Sequence, residues 1–520
     1  MMFHSRVLSI QPRIAIFFIA VYIFSELCLF SNSLASTFPQ DLDYSNRIEV
    51  LLDKGELWNV NSIFHPLDIS RKDSTSSHLA HQDAFNWVRS YLDEYSCLAF
   101  HLKKSSSSGL SALLLPGIGL SVQSGAARHY EKLALQPFIW SEARFRYNWY
   151  ARLYIRATNE SASLTHFSGI SRSISRASMN TGEIDQSVIG YQNRWVQIEY
   201  GRNREIWGPM VEENLILSGN APSWERLMIQ GNHRCFTYRW FFGFLEAIQN
   251  TDNIQRYIVG RALEYNNQKN FILGIGEVSI LAGPNRSLDL AYLNPLTLHL
   301  EVEQNDRCNH IDNYQNAIWF LHLDWLVVHS LRLNGSILID EIKLERQEIR
   351  EGDTENLGWW GRVAWTPTTD KIGITFFSSY LRINTYTMQH TYPYCNFVTR
   401  NQLLGHPLGN DADQINAGMR ITTMYLPGLL ELEYGRIRWG DNSLRFSPYR
   451  LFEEFSRVPF PSGQVRTNRY ILVKLNSQLS KGLSVNIEGH IDLKHSGEDS
   501  ALEVWTFTVR YQIPFFLTNI

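Results

Sequence analysis

Several things are scarce in this chain. Five cysteines in 520 residues do not make a disulfide framework. Cys28 lies in the leading apolar segment. Cys97, Cys235, Cys308 and Cys395 stand far apart with no CxxC spacing, which argues against a zinc site and leaves one or two disulfides open in an oxidising compartment. The sixteen histidines include no HExxH. There is no G-x-S-x-G elbow and no phosphate loop. No catalytic set, metal or cofactor is therefore expected. A formal net charge of -3 argues against a nucleic-acid binder. No repeat at a fixed period supports a propeller or solenoid. Beyond the first residues, no apolar stretch reaches the ~20 residues of a transmembrane helix.

Those first residues are informative. Arg6 and Arg13 precede an apolar run from Ile14 to Phe24, and Ser33-Leu34-Ala35 supplies small residues for cleavage. Residues 1–35 are expected to be a secretory signal. An uncleaved anchor is the alternative, but Glu26 interrupts the run. Glu26 and Leu27 also make Cys28 a poor lipidation site. An exported chain that enters a bilayer without long apolar helices must do so as a closed barrel, because open sheets leave backbone groups unpaired in lipid.

The rest of the chain reads that way. From Phe145 to Ile155 it alternates: Phe145, Tyr147, Trp149, Ala151, Leu153 and Ile155 on one face, Arg144, Arg146, Asn148, Tyr150, Arg152, Tyr154 and Arg156 on the other. In a membrane barrel the first face meets lipid and the second lines the lumen. Trp195–Tyr200, Leu331–Asp340, Ile372–Thr387, Leu430–Tyr434, Val485–Leu493 and Trp505–Ile513 repeat the pattern. Asn334-Gly335 is either a bend within a strand or a hairpin turn. Phe515 and Phe516 lie near the end, with Leu517–Ile520 running past them. About 400 residues at roughly 22 per strand and connection give on the order of 18 strands. The expected fold is all-β: a large antiparallel transmembrane barrel over 111–520. A small helical periplasmic subdomain and linker occupy 36–110. Ile48, Leu51 and Leu52 before Lys54-Gly55 predict one helix there, and Ala84–Tyr95 another. Ser105–Gly109 reads as linker. Aromatics at 13% suit interfacial girdles.

Arginine outnumbers lysine 37 to 11. Its planar fork binds carboxylate and phosphate in two-pronged fashion. That bias points to ion pairs across a lumen, to an anionic ligand, or to both. His490 reads as a satisfied structural histidine. Asp411 and Asp413, after Gly405 and Gly409, read as a solvated acidic loop, with calcium as the alternative.

Gly201-Arg202-Asn203-Arg204-Glu205-Ile206-Trp207-Gly208-Pro209 is followed by Leu215-Ile216-Leu217-Ser218-Gly219-Asn220-Ala221-Pro222. Tyr292-Leu293-Asn294-Pro295 and Ile337-Leu338-Ile339-Asp340-Glu341 come later. In this order the four segments resemble the Wzi-like capsule-assembly proteins of the outer membrane. Met210 departs from the further glycine usual after WGP. The resemblance implies a barrel of about 18 strands with a periplasmic helical part. It implies a non-enzymatic, lectin-like role in binding surface polysaccharide and attaching capsule. It also implies contacts with outer-membrane lipid and, through the helices, with periplasmic or export-machinery proteins. An anion channel with an arginine-lined lumen is the alternative.

On the residues' own chemistry, Arg202, Arg204 and Trp207, with Arg144, Arg146 and Arg152, are the candidate polysaccharide contacts: guanidinium forks for acidic sugars, an indole face for stacking. The competing reading is that Arg202 and Trp207 fix an inward-folded loop. Gly201 and Gly208 permit tight backbone, and Pro209 ends a ladder. Asp340 and Glu341 are expected to pair with lumen arginines.

Overall fold

The computed structural model describes residues 49–56, 62–65, 85, 106 and 109–125. From 130 to 518 it describes all but 162–165, 169, 173–178, 210–212, 249–252, 289, 305–314, 342–355, 368–370, 424, 426–427, 452–457, 481 and 496–501. The expected signal segment, nearly all of the expected second helix, Cys97, Cys308 and Met210 lie outside the described residues.

Eighteen antiparallel strands close into one barrel. The first nine are β1 (Leu110–Gly125), β2 (Tyr130–Phe145), β3 (Trp149–Thr158), β4 (Thr181–Gln192), β5 (Val196–Asn203), β6 (Trp224–His233), β7 (Phe236–Phe244), β8 (Ile254–Asn266) and β9 (Phe271–Pro284). The second nine are β10 (Gln315–Val328), β11 (Leu331–Glu341), β12 (Asn356–Trp365), β13 (Ile372–Ile383), β14 (Ala412–Thr423), β15 (Gly428–Trp439), β16 (Arg466–Ser480), β17 (Leu483–His495) and β18 (Leu502–Gln512). Pro514 interrupts the last strand, which resumes as Phe515–Thr518. The seam pairs Gly117 with Gln512 and Ser111 with Thr518. Closure leaves no unpaired edge, which is what a bilayer requires.

Alternation decides which face is which. On β3, Arg152 and Arg156 turn inward and are buried, while Trp149 and Ile155 are exposed on the outer wall. The outer wall carries Leu120, Leu133, Ile139, Ile189, Ile275, Ile337, Val363 and Ile415 in the open, and such a surface is stable only against lipid. One barrel end has tight turns such as 146–148, 234–235 and 329–330. The other carries the long connections 159–180, 204–223, 285–314, 384–411 and 440–465. Exposed Trp149, Trp195, Phe236, Tyr265, Trp325, Trp365 and Phe376 ring the short-turn end, the place of an interfacial girdle.

The run 144–156 is two strands, not one. Arg146 and Tyr147 adopt positive φ and reverse the chain, so that Phe145 pairs with Trp149. A three-residue turn spans an odd number of positions, so the inside–outside alternation continues across it in phase. Gly335, by contrast, stays inside β11, opposite Gly361 and Leu323, which resolves Asn334-Gly335 as mid-strand.

The lumen is occupied. Residues 49–54 form the expected helix, ended by Gly55 (φ +93°), and lie at the short-turn end, where Gly55 packs against Leu326 and His329. Further along, Phe64–His65 pairs with Ile206–Trp207, which pairs with Leu217–Ser218. This three-stranded sheet sits inside the barrel on Phe241, Ile258, Val278, Ile318 and Phe320.

Candidate functional site: the filled lumen and its mouth

Charges line the inner wall as partners. Glu142 bridges Arg144 and Arg152; Arg152 reaches Glu199 at 3.3 Å; Glu199 meets Arg226 at 2.9 Å. Arg226 then meets Glu205 at 3.1 Å, and Glu205 meets Arg239 at 3.1 Å. Four guanidiniums and three carboxylates alternate from β2 through β3, β5 and β6 to β7, with Glu205 supplied by the inward loop. Arg144 and Arg152 are therefore structural members of a buried network rather than groups presented to a ligand. Arg146 is elsewhere, exposed in the tight turn after β2 and lying over Phe145 at 5.1 Å.

Trp207 corrects the stacking expectation. It is 0% exposed, packed among Phe64, Phe241 and Phe320, and its Nε1–H donates to Glu205 at 2.7 Å. No indole face remains for a sugar. Its neighbours hold the loop. Gly208 has φ +141° and donates its N–H to Ile63, and Pro209 is buried with its carbonyl accepting from Arg332. Ser218 donates to the Gly405 carbonyl at 2.6 Å, and Asn220 donates to Leu403. Pro222 is buried at the foot of β6. Gly201 has φ +129°, and a Cβ there would sit 2.1 Å from the Ser187 carbonyl oxygen. Arg202 and Arg204 are half-buried. Arg202 donates to Ser223 at 3.0 Å and to Ser168; Arg204 donates to Asp185 at 3.2 Å. The motif thus builds the plug, and Arg202, Asn203, Arg204 and Asn220 are its half-buried members among the described residues.

Asp340 accepts the Met388 N–H at 2.6 Å, tying β11 to the 384–411 connection. Glu341 ends that strand, with its side chain outside the described residues. Asn294 and Pro295 lie on the outer wall, away from the lumen: Tyr238 donates to the Pro295 carbonyl. Asp411 is buried and accepts from Thr385, Asn442 and Ser462, and Asp413 pairs with Arg438, so this is a packed junction instead of a solvated loop. His490 pairs with Asp492 at 3.2 Å and stacks on Tyr470.

Two anchors hold plug and mouth. At the short-turn end, Asp53 meets Arg332 at 3.1 Å and Arg362 at 2.8 Å, and Glu49 meets Arg420 at 3.2 Å. Burial opposes ionisation of Asp53, but Arg362, Arg332 and Arg420 outweigh it and hold the carboxyl at about 2. At the long-loop end, Arg256 binds Glu246 and donates to the carbonyls of Tyr394, Asn396 and Val398. His406 is buried, which pulls its imidazole down to about 3, with Arg445 adding to the effect. His166 donates to the Asn220 carbonyl and is lowered to about 4 by burial and then by Arg204.

Above these anchors the mouth presents rings. His390, Tyr392 and Tyr394 stack in series, at 5.6 Å and 27°, then 5.5 Å and 19°. On the 440–465 connection, which Asn396 ties to the 384–411 connection through the Pro448 and Arg450 carbonyls, Phe446 is exposed, with the Arg466 guanidinium 4.3 Å from its centre. Arg400 and Arg445 are exposed on the same two connections, Arg445 donating to the Pro407 carbonyl and lying over Trp439. Nothing in the chain's alternation marks these residues, because they sit on irregular connections without a period to read. Among the described residues no group of histidine, cysteine, aspartate and glutamate could hold a metal ion.

No family model and no curated protein matches this chain. Solved structures do. Wzi, an outer-membrane protein involved in group 1 capsule assembly in Escherichia coli and a carbohydrate-binding β-barrel, superposes with a TM-score of 0.59 at 11% identity. The match covers 91% of this chain and 98% of that one. OprD from Pseudomonas aeruginosa gives 0.44 at 10% identity over 80% and 98%. OpdK from the same organism gives 0.43 at 9% over 78% and 99%. The resemblance to the Wzi-like barrel holds as a likeness of fold: a closed, antiparallel, 18-stranded barrel of outer-membrane type.

Proposed function

We propose that this protein is a non-enzymatic outer-membrane barrel that binds surface polysaccharide at its long-loop mouth and helps to attach or assemble capsule. The observation that carries this reading is the series of stacked rings His390, Tyr392 and Tyr394, with Phe446 and its arginine, over a filled lumen. Flat faces suit sugar rings, and adjoining guanidiniums suit hydroxyls and acidic substituents. The carbohydrate-binding barrel of the same fold supports it. In this reading residues 1–35 direct export, and residues 36–110 place the 49–54 helix at the periplasmic end.

The test is retention of purified, heat-modifiable protein on immobilised polysaccharide from the producing cell and from an unrelated strain. Selective retention is expected. Loss of one stacking face is worth about 1 kcal/mol, so Tyr392→Ala or Phe446→Ala should weaken retention roughly fivefold. A folded barrel that ignores both glycans refutes the reading.

A further inference from the structure

The connection after β9 leaves the long-loop end and folds back down the outside of the barrel. On β8, Ile258, Gly260 and Ala262 face the lumen, so Tyr257, Val259 and Arg261 face outward. By the same alternation Trp240 and Phe242 of β7, and Glu277, Ser279 and Leu281 of β9, are on the outer wall. All of these are buried, although they belong to the face that elsewhere lies open. Residues 290–304 cover them. Tyr292 and Val302 pack on Trp240, Phe242, Tyr257, Val259 and Leu281.

Polar groups fasten this strap. Arg261 and Glu277 form an ion pair on the outer wall, 4% and 2% exposed. The His299 N–H donates to that same Glu277 oxygen at 2.8 Å. Tyr238 donates to the Pro295 carbonyl, and Tyr292 donates to Gln315 on β10. Tyr238 stands opposite Leu263, two residues above the Phe236–Tyr265 pair of the short-turn girdle. Arg261 is four residues above Tyr265, roughly 10 Å along the barrel axis for tilted strands and inside an apolar band ~25 Å tall. The outward side of the strap is mostly leucine: Leu290 is 77% exposed and Leu296 81%, with Leu298 also open, while Asn294 is exposed among them with its Oδ1 accepting the Leu296 N–H and Glu301 is half-buried nearer the end.

We propose that the strap, residues 290–304, is embedded in the bilayer, with acyl chains as the occupant of its leucine face. Uncovered, an arginine–glutamate pair on the outer wall would meet hydrocarbon directly. The strap removes that contact, ties its Pro295 carbonyl and His299 N–H to the wall, bonds the Leu296, Thr297 and Val302 N–H groups within itself, and turns leucines outward. The leucine face continues the open band of Leu263 and Ile275 on the neighbouring bare wall, and that continuity identifies lipid as what covers it.

The experiment is parallax-type quenching in vesicles. Leu290→Cys and Leu296→Cys are made separately in a background with the native cysteines changed to serine, and carry an environment-sensitive dye. Ile275→Cys marks bare wall and Ser447→Cys marks the mouth. The expected result is quenching by brominated acyl chains equal to that at Ile275, with aqueous iodide acting only at Ser447. Iodide quenching at 290 and 296 overturns the proposal by placing the strap in water. Protection from both quenchers overturns it in favour of a protein partner or second copy. Should the cysteine variants not fold, hydroxyl-radical footprinting of the unaltered protein in vesicles decides the matter: Leu290 and Leu296 should be as protected as Ile275, and oxidation matching Phe446 would refute the proposal.

Discussion

Asp53 meets Arg332 and Arg362, and both guanidiniums belong to the barrel wall. Removing one partner of a buried ionic cluster leaves the others desolvated and uncompensated. Asp53→Ala should therefore cost about 3–5 kcal/mol, read as a lower temperature for the heat-modifiable gel shift. The carboxyl's pH dependence has a definite sign. Its folded pKa of about 2 lies below the ordinary 3.8, so its contribution is complete above about pH 4 and is lost as pH falls towards 2. That contribution is about 2 kcal/mol. Gly201 makes a second single-residue prediction. With φ +129° and a carbonyl 2.1 Å from any Cβ, Gly201→Ala should cost at least about 1–3 kcal/mol in the same gel assay. Alanine at Gly361, which has open space around it, should be tolerated.

The connections of the mouth depend on neutral histidines. His406 accepts the Leu408 N–H in the 384–411 connection, and His166 pins Asn220. Both are held below the ordinary 6.5, so the unfolded chain binds more protons below that pH and stability falls as pH drops through 6.5. By pH 5 each should have lost about 2 kcal/mol. Limited proteolysis should then cut the mouth faster at pH 5 than at pH 7.5, and His406→Gln should flatten that dependence. At this scale the sequence was legible where it was periodic. The inward arginines of β3, the apolar outer face and the helix ending at Gly55 all follow from spacing. The turn at 146–148 did not show because its odd length preserves the alternation. Trp207 was open to two readings, a stacking face and a fastener of an inward-folded loop, and spacing could not choose between them because a two-residue strand in the lumen has no period; its buried contacts favour the second. The Asn294-Pro295 segment was visible as a motif, but no local pattern says that a connection descends outside the barrel.

The molecule as a whole is a wall of strands around its own chain. Helix 49–54, the small sheet and the inward connections bury their apolar faces in the lumen, and the wall arginines of the alternating network are paired across it. An arginine-lined channel needs unpaired charge along an open path. The purified protein in a planar bilayer should therefore be electrically silent, with steady conductance as the contrary result. Asp53→Ala combined with Glu49→Gln should produce intermittent openings, because those carboxylates hold the helix to β11, β12 and β14.

Asp53 also orders events in time. It lies in sequence before the first strand, yet its partners are on the eleventh, twelfth and fourteenth. A helix and a strand joined to the wall by buried ion pairs and packing enter an open sheet more readily than a finished cylinder. The N-terminal segment is therefore expected to settle inside a curling, still open sheet before β18 meets β1, with the seam between those two strands closing last. A chain stalled before that zippering should expose residues 49–65 to protease, and a chain past it should not.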